Sequence, residues 1–566
     1  MSKYANQISQ TVADLYGQTV DAELTRPDPQ FGDYSTNIAM RLAGKLGRRP
    51  RDVAEEIVAK LIESQLFSEV TIAGPGFINM RVAGKALATD LEAAFNNETP
   101  FGNSHDGANK LVLVEYPSTN MAKPFSVGHL RSANQGWAVR NLMLATGWRV
   151  ITDNHLGDYG SPFGIWVIGF RRFSSEEKLA ERGIYELGDI YIQTKQAMKE
   201  EEKAGRDDMA REAQKWLLKL EAGDPEAVDY SNRFNQISLD HIHKVMARLG
   251  ISTDYELGEK FFAPKGKAAV QDLLERGIAK QNADGSVIVP LDDYGIETPM
   301  LVLKSNGAAL YATNDLATLL YRDQVFHVDR IIYCVGAEQK FYFEQLFAMA
   351  KKIGLNMQFD HMWYGMIDQL NEDGTREKMS SRKGVVLLED LLDKAEERAR
   401  ANTKADDISD EDIKKIAIGA IKFSDFSADR RTGMLFDWNA MFSLTGFSGP
   451  YVQYAAVRVN KILRDNTLAD AVDTGYDYEA EKAVILKLLD YPNVIKLAAD
   501  KLEPHRIATY VYELAREMNR YYEQTPVATR DVSAGIKAAR LGLLKQVAYV
   551  FNHALTILGI EAPERM

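Results

Sequence analysis

Apolar residues recur along this chain with different spacings, and each change of spacing marks a change of architecture. Residues 8–16 and 53–66 carry helical spacing, while 70–73 and 77–82 are short extended pieces. Residues 1–95 are therefore expected to form a small α+β unit. The polar stretch from Asn96 through Asn109, which contains Pro100, reads as a linker. Next comes LVLVEY at 111–116, a continuous apolar run of strand length. Such a run suits a parallel strand covered on both faces. Helical spacing over 129–146 follows, closed by Gly147, and extended character resumes at 148–152. A strand–helix–strand unit of this kind predicts a doubly wound parallel sheet.

Residues 171–300 are charged and mostly helical in pattern, and read as an insertion that splits the sheet domain. Strand character returns at 330–335 and 363–367, with a helix between. From 386 onward the spacing is almost wholly helical, which predicts a bundle. The expected protein is multidomain α/β. A Rossmann-like catalytic domain spans 110–385, a helical connection 386–440 and an all-α bundle 441–566.

Composition narrows this picture. The 566 residues exceed the roughly 250–300 that one core serves, so several domains are required. The single cysteine, Cys334, excludes an intrachain disulfide and an all-cysteine zinc site, and fits a reducing cytoplasm. No apolar run reaches the ~18–20 residues of a membrane span, and the first residues lack a signal-peptide core. A net charge of −12 argues against gripping nucleic acid by bulk charge, but leaves room for a local basic face.

Two segments carry candidate chemistry. Ser126-Val127-Gly128-His129 stands at a strand–loop–helix junction. A helix N-terminus offers free N–H groups to phosphate, Gly128 lets a nucleotide approach the backbone, and His129 can donate a hydrogen bond. Alone, such a glycine–histidine pair after a strand is more often structural. Lys378-Met379-Ser380-Ser381-Arg382-Lys383-Gly384 is a basic loop after an expected strand. It could close on pyrophosphate, or simply be a solvated charge run.

Together, in this order and separation, the two segments resemble the paired signatures of class I aminoacyl-tRNA synthetases. The longer segment VEYPSTNMAKPFSVGHLRS resembles the arginyl-tRNA synthetases, as do NHLGDYG at 154–160, LYATND at 310–315, GPYVQY at 449–454 and the ending PERM. The resemblance spans nearly the whole chain. It implies an arginine–tRNA ligase that makes arginyl-adenylate from ATP and L-arginine, then charges the 3′ adenosine of tRNA(Arg), generally with tRNA already bound. It also implies a cytoplasmic monomer, Mg²⁺ carried on the ATP phosphates, and no metal site of the protein's own.

Residue roles follow from the same resemblance. His129, Lys123, Lys378 and Lys383 would stabilise the transition state. Ser126, Gly128, His129, Gly336, Met379, Ser380 and Ser381 would hold ATP. Glu115, Asp315 and Tyr311 would take the guanidinium, a planar cation whose fixed fork of donors demands carboxylates. Ser118, Asn120 and Gln339 would contact the remaining polar groups of arginine. Phe77 and Asn79 would touch a D-loop base from an N-terminal tRNA-binding domain, and Tyr451, Tyr454, Arg458 and Met566 would lie near the anticodon. On spacing alone, Glu115 and Asp315 also suit surface or capping acids, Phe77 a core strand position, and the tyrosines a bundle core.

Three positions depart from the family pattern. Ser126 replaces the first histidine, Ser381 the second loop lysine, and Thr119 a proline, which is expected to loosen that turn. Lys123 and Lys383 are both candidates for the missing cation. Other readings stay open on sequence alone. The same chemistry could act on another amino acid, which Glu115 with Asp315 opposes. An inactive tRNA-binding paralogue is suggested only by Ser126. A small-molecule nucleotidyltransferase would leave both terminal regions without a role.

Overall fold

The computed structural model of the protein describes residues 3–64, 66–121, 124–370, 376–378, 387–403, 408–466, 476–525 and 532–566. The N-terminal region carries helices α1 (Lys3–Tyr16), α2 (Ile38–Leu46), α3 (Pro50–Glu63) and α4 (Gly84–Phe95). Strands β1 (Tyr34–Thr36), β2 (Phe67–Ala73) and β3 (Phe77–Val82) form an antiparallel sheet in the order β1-β3-β2. Strand alternation sorts β3 into two faces: Ile78, Met80 and Val82 are buried, while Phe77 faces outward.

The sheet domain begins with β4 (Leu111–Glu115), α5 (Leu130–Ala145) and β5 (Arg149–Asp153). The insertion adds α6 (Ser161–Phe173), α7 (Glu176–Arg182), α8 (Ile184–Lys203), α9 (Asp208–Glu221), α10 (Pro225–Arg248) and α11 (Glu259–Glu275). It ends in an antiparallel meander of β6 (Lys280–Gln281), β7 (Val287–Leu291) and β8 (Ile296–Leu303), which the helical pattern had hidden. The chain returns as α12 (Tyr311–Tyr321), β9 (Arg330–Tyr333), α13 (Lys340–Lys352) and β10 (Gln358–His361). The resulting sheet is wholly parallel, in the order β10-β9-β4-β5. Its core side holds Ile331, Leu316 and Met349 with no exposure, each such side chain contributing about 1.5–3 kcal/mol by burial.

The expected strand at 363–367 is not there. The edge strand is β10, whose polar QFDH sequence tolerates solvent because only β9 pairs with it, and Asp360 binds Arg330 of that neighbour at 2.7 Å. Beyond it lie β11 (Ile367–Leu370), β12 (Arg376–Lys378), α14 (Leu388–Asn402), α15 (Asp410–Asp425), β13 (Met434–Phe436) and α16 (Trp438–Met441). Strand β13 interrupts a stretch read as helical. It is only three residues long, too short to display a period, and pairs in parallel with β11.

Helices α17 (Gly449–Asp465), α18 (Lys482–Lys501), α19 (His505–Gln524) and α20 (Ala534–Ile557) complete an all-α C-terminal region. The compact units cut across the sequence boundaries. One comprises Met1–Phe101, Arg458–Pro492 and Glu513–Val550; the other Gly102–Val457, Asn493–Tyr512 and Phe551–Met566. In the first unit, Arg26 pairs with Asp490 at 3.0 Å and Lys482 with Asp33 at 2.9 Å. In the second, Gly449 at the start of α17 abuts Gly419 of α15, where a side chain would meet backbone at 2.3 Å.

Helix α5 is buried on almost every face despite its polar sequence. Arg131 pairs with Asp425 of α15 at 2.7 Å and donates to the carbonyls of Gly365 and Thr432. Asn134 and Gln135 donate to the same Asp425 carboxylate. The charge is buried but fully paired, which fixes the helix that begins at His129.

Candidate active site

In the parallel sheet, β5 lies on one side of β4 and β9 on the other. This reversal of strand order opens a crevice at the carboxyl ends of β4 and β9, where doubly wound folds bind nucleotides. The loop after β4 leads to Ser126–His129, and Gly336 follows β9, so both expected ATP elements occupy that edge. The N–H of Ser126 donates to Nδ1 of His129 at 3.2 Å, with the Ser126 hydroxyl at 3.3 Å. A ring nitrogen that accepts a backbone N–H carries no proton, so the imidazole proton sits on Nε2. Ser126 thus orients the histidine that remains. Gly128 is exposed, and a Cβ at that position would meet no atom closer than 3.4 Å.

Lys123, Met379, Ser380, Ser381 and Lys383 lie outside the described residues, as does the side chain of Lys378. The ends of the basic loop are described, however. Lys378 closes β12, and Leu387 forms an antiparallel bridge with Ser126, while Leu388 N–H donates to the Phe125 carbonyl at 3.1 Å. The described chain therefore resumes beside the histidine motif. Thr119 does not loosen its turn. Its N–H, which proline lacks, donates to the Asn154 side chain at 3.3 Å, and its carbonyl accepts from Gly157 at 2.8 Å.

The acids divide into two groups. Glu115 is not free for a substrate cation, contrary to the sequence reading. Arg322, buried to 1% exposure, places Nη2 at 2.6 Å from Glu115 and 2.8 Å from Asp153. Glu115 accepts a further bond from Ser118 at 3.1 Å. Glu115 and Asp153 are register partners on β4 and β5, so the clamp joins adjacent strand ends.

Asp315 is different. It sits one turn after Tyr311 on α12, which puts both on one helix face. The Tyr342 hydroxyl donates to Asp315, and His155 Nε2 stands 3.9 Å away. Desolvation raises its carboxyl above the usual range, opposed by His155 and Tyr342. Nearby Glu259, the first residue of α11 and 8% exposed, is pushed up to about 8 by burial, then by Asp315 and Asp158. No lysine or arginine pairs with Glu259 or Asp315 among the described residues. Two close acids without a cation form a site for one.

Sequence reading missed Glu259, Tyr342 and Arg322. Glu259 belongs to the insertion, with nothing local to mark it. Arg322 had a signal, because it follows Asp315 by seven residues on the same helical face. Tyr311 is 70% exposed at the mouth of α12, and Asn120 and Gln339 are also exposed. Asn120 pairs with Gly157, whose missing side chain leaves room for Oδ1 of the Asn120 side chain.

The nucleic-acid candidates fare unequally. Phe77 is exposed, but Asn79 on the same strand face is only 6% exposed, which covers the amide expected to read a base. On α17 the stripe Val452, Ala455 and Val459 is buried, and Tyr454 is 42% exposed. Tyr451 is half-buried with its ring 5.4 Å from Tyr512, and Arg458 lies over the Tyr522 ring at 3.8 Å. Buried Gln453 donates to the carbonyls of Lys415 and Glu561, fastening the tail that ends at partly exposed Met566. Among the described residues, Asp429, Glu503 and His505 form a group with metal-ligand spacing, but Arg431 already binds both carboxylates. No described helix is long and apolar enough to cross a membrane.

Comparison with known proteins adds to this geometry. Residues 91–438 match the family of class I (R) tRNA synthetase catalytic domains. Residues 452–566 match the DALR anticodon binding domain, and residues 2–82 the arginyl tRNA synthetase N terminal domain. The arginine–tRNA ligase of Streptococcus thermophilus is 35% identical over 99% of both chains, and that of Lactococcus lactis 34% over 93% of both. Solved structures of arginyl-tRNA synthetase share the fold. That from Thermus thermophilus has a TM-score of 0.81 at 24% identity, covering 100% of this chain and 99% of its own. That from Plasmodium falciparum has 0.80 at 22%, covering 100% and 98%.

Proposed function

The chain belongs to the class I arginyl-tRNA synthetases, and on that premise we propose how its residues divide the work of an arginine–tRNA ligase. The enzyme uses ATP to activate L-arginine and passes the arginyl group to tRNA. In our reading, Asp315 and Glu259 take the substrate guanidinium, with Tyr311 at the mouth. The observation that carries this is the pair itself: two desolvated acids, both raised, with no lysine or arginine in an ion pair with either among the described residues. A neutral or shorter side chain would leave them unpaired, which gives selectivity. Glu115, held by Arg322, keeps its Oε1 side with Ser118, and together with Asn120 and Gln339 faces the amino-acid end.

The arginine carboxylate then attacks the α-phosphorus of ATP. A carboxylate O–P bond forms, the bond to the bridging oxygen breaks, and pyrophosphate leaves with that electron pair. The protein mainly positions and neutralises. His129 offers its Nε2–H, oriented through Nδ1 by Ser126, and Gly128 and Gly336 leave space for the nucleotide at the strand ends. Lys378 and Lys383, with Met379, Ser380 and Ser381, supply charge and contacts from the segment that precedes Leu387, the bridge partner of Ser126, and Lys123 supplies charge from the segment before Ser126. Mg²⁺ bound to ATP as part of the substrate would neutralise its phosphates. The 2′ hydroxyl oxygen of the terminal adenosine then attacks the arginyl carbonyl carbon and loses its proton; the ester bond forms, the carbon–oxygen bond to the phosphate breaks, and AMP leaves with that electron pair.

Residues 1–95 and 441–566 serve tRNA in this reading, with Phe77 stacking on a D-loop base and Tyr454 and Arg458 meeting unstacked bases and phosphates. Asn79 contributes only if its cover moves, and Tyr451 and Met566 border the anticodon surface. The setting is a monomer in the cytoplasm. ATP–pyrophosphate exchange with each amino acid in turn, tRNA present, tests the assignment. Arginine alone should support exchange; equal exchange with another amino acid overturns the reading.

A further inference from the structure

Arg322 is among the largest fully buried side chains of the protein, and it lies where α12 gives way to a π-helical turn, Arg322–Phe326. Single π-turns of this type frequently mark functional positions. The guanidinium faces the ends of three neighbouring strands. Glu115 of β4 is the register partner of Asp153 on β5 and of Tyr333 on β9. Nη2 binds both carboxylates, at 2.6 and 2.8 Å, and the guanidinium carbon lies 5.5 Å from the centre of the Tyr333 ring. The second oxygen of each acid is also held, by Ser118 for Glu115 and by the Leu257 N–H at 3.0 Å for Asp153.

An arginine-selective site built this way has an internal problem. Four acids, Glu115, Asp153, Asp315 and Glu259, belong to one electrostatic neighbourhood, since Glu115 and Glu259 each act on the groups around Asp315. A guanidinium entering such a set could settle on any of them. Only one pair places the substrate for reaction. Arg322 carries the same group as the substrate and already occupies the strand-end pair.

We infer that Arg322 is a positioning residue of the arginine site, an internal guanidinium that occupies Glu115 and Asp153 so that the substrate's guanidinium is directed to Asp315 and Glu259. This inference rests on the reading of the site given above. It also gives α12 two jobs on one face: Asp315 meets the substrate, and seven residues later Arg322 keeps the competing acids filled. Removing Arg322 would leave two buried carboxylates unpaired, which is costly and attracts any available cation. Lysine keeps a charge, but its compact, strongly hydrated ammonium costs more to bury between the two acids than the weakly hydrated guanidinium, and so should hold them less well.

The test uses methylguanidinium chloride with the full-length enzyme and tRNA. On the wild type, methylguanidinium should compete with arginine and raise its KM. On Arg322→Ala the sign should invert: low concentrations should raise activity saturably, because the probe refills the empty position. Inhibition of Arg322→Ala with the same profile as the wild type overturns the inference. Should Arg322→Ala not fold, Arg322→Lys decides. Its KM for arginine should rise about tenfold or more while KM for ATP stays within about twofold. Equal changes in both constants, or none, would mean a purely structural clamp and overturn the inference. Failure of methylguanidinium to compete with arginine on the wild type is a different result, since it removes the reading of the site itself.

Discussion

The acids at the strand ends and the acids on the helices are the same chemical groups in opposite states. Glu115 and Asp153 share the internal guanidinium of Arg322, and each has a further hydrogen bond. Among the described residues no lysine or arginine forms an ion pair with Asp315 or Glu259; Tyr342 and His155 stand against Asp315, and both acids are raised by desolvation. Carboxylate identity therefore does not make a binding site. What makes one is a desolvated acid that the fold leaves without a cation, because only there does an incoming guanidinium recover the full interaction.

The sharpest way to break this distinction is Asp315→Asn. The change keeps shape and removes charge, and should lower kcat/KM for arginine by roughly 10⁴-fold, as when a buried polar partner is lost. Exchange kinetics read this directly, and a loss of tenfold or less would mean Asp315 is no more than another structural acid. His129→Ala should come next, lowering kcat by about 10²–10³ with KM for arginine little changed, since its Nε2–H acts on developing phosphate charge and on neither group of acids. A matching rise in KM for arginine would tie the histidine to the amino-acid pocket.

Glu259 sharpens the distinction through pH. Its carboxyl is pushed up to about 8, whereas in an unfolded chain it would lie near about 4.3. The folded protein thus holds a proton that the unfolded chain releases. Stability without arginine should fall as pH rises from about 4.5 to 8, by at most roughly 1.4 kcal/mol per unit from this group. Arginine binds the ionised form, so its affinity should rise over the same window. Denaturation midpoints and arginine binding measured across pH should both flatten in Glu259→Gln; unchanged profiles would assign the proton elsewhere. The smallest effect is expected far from all four acids. Tyr454→Ala should raise KM for tRNA by roughly 5–30-fold, the cost of one stacked base, and leave KM for arginine unchanged.

Much of this was legible in the residues. Continuous apolar runs marked β4 and β9 because a strand covered on both faces has no polar side to show. Ser126–His129 could be placed at a helix mouth because a strand, a loop and a helical period met there. The strand β10 was not legible, since an edge strand needs no apolar pattern, and β13 is too short to carry one. Asn79 was placed beside a base by resemblance alone, and its burial is not visible in the local pattern.

Sequence by itself determined the strand–helix–strand start of the parallel sheet and the helical character of the C-terminal region, because periodicity is local along the chain. Tertiary structure alone decided which acids pair with an arginine of the protein and which do not. Arg322 reaches Glu115 and Asp153 across sequence separations that no local pattern records, and Glu259 arrives from the insertion. Electrostatic state depends on distance and burial in three dimensions, so the same carboxylate can be filled or waiting with no change in its sequence neighbours.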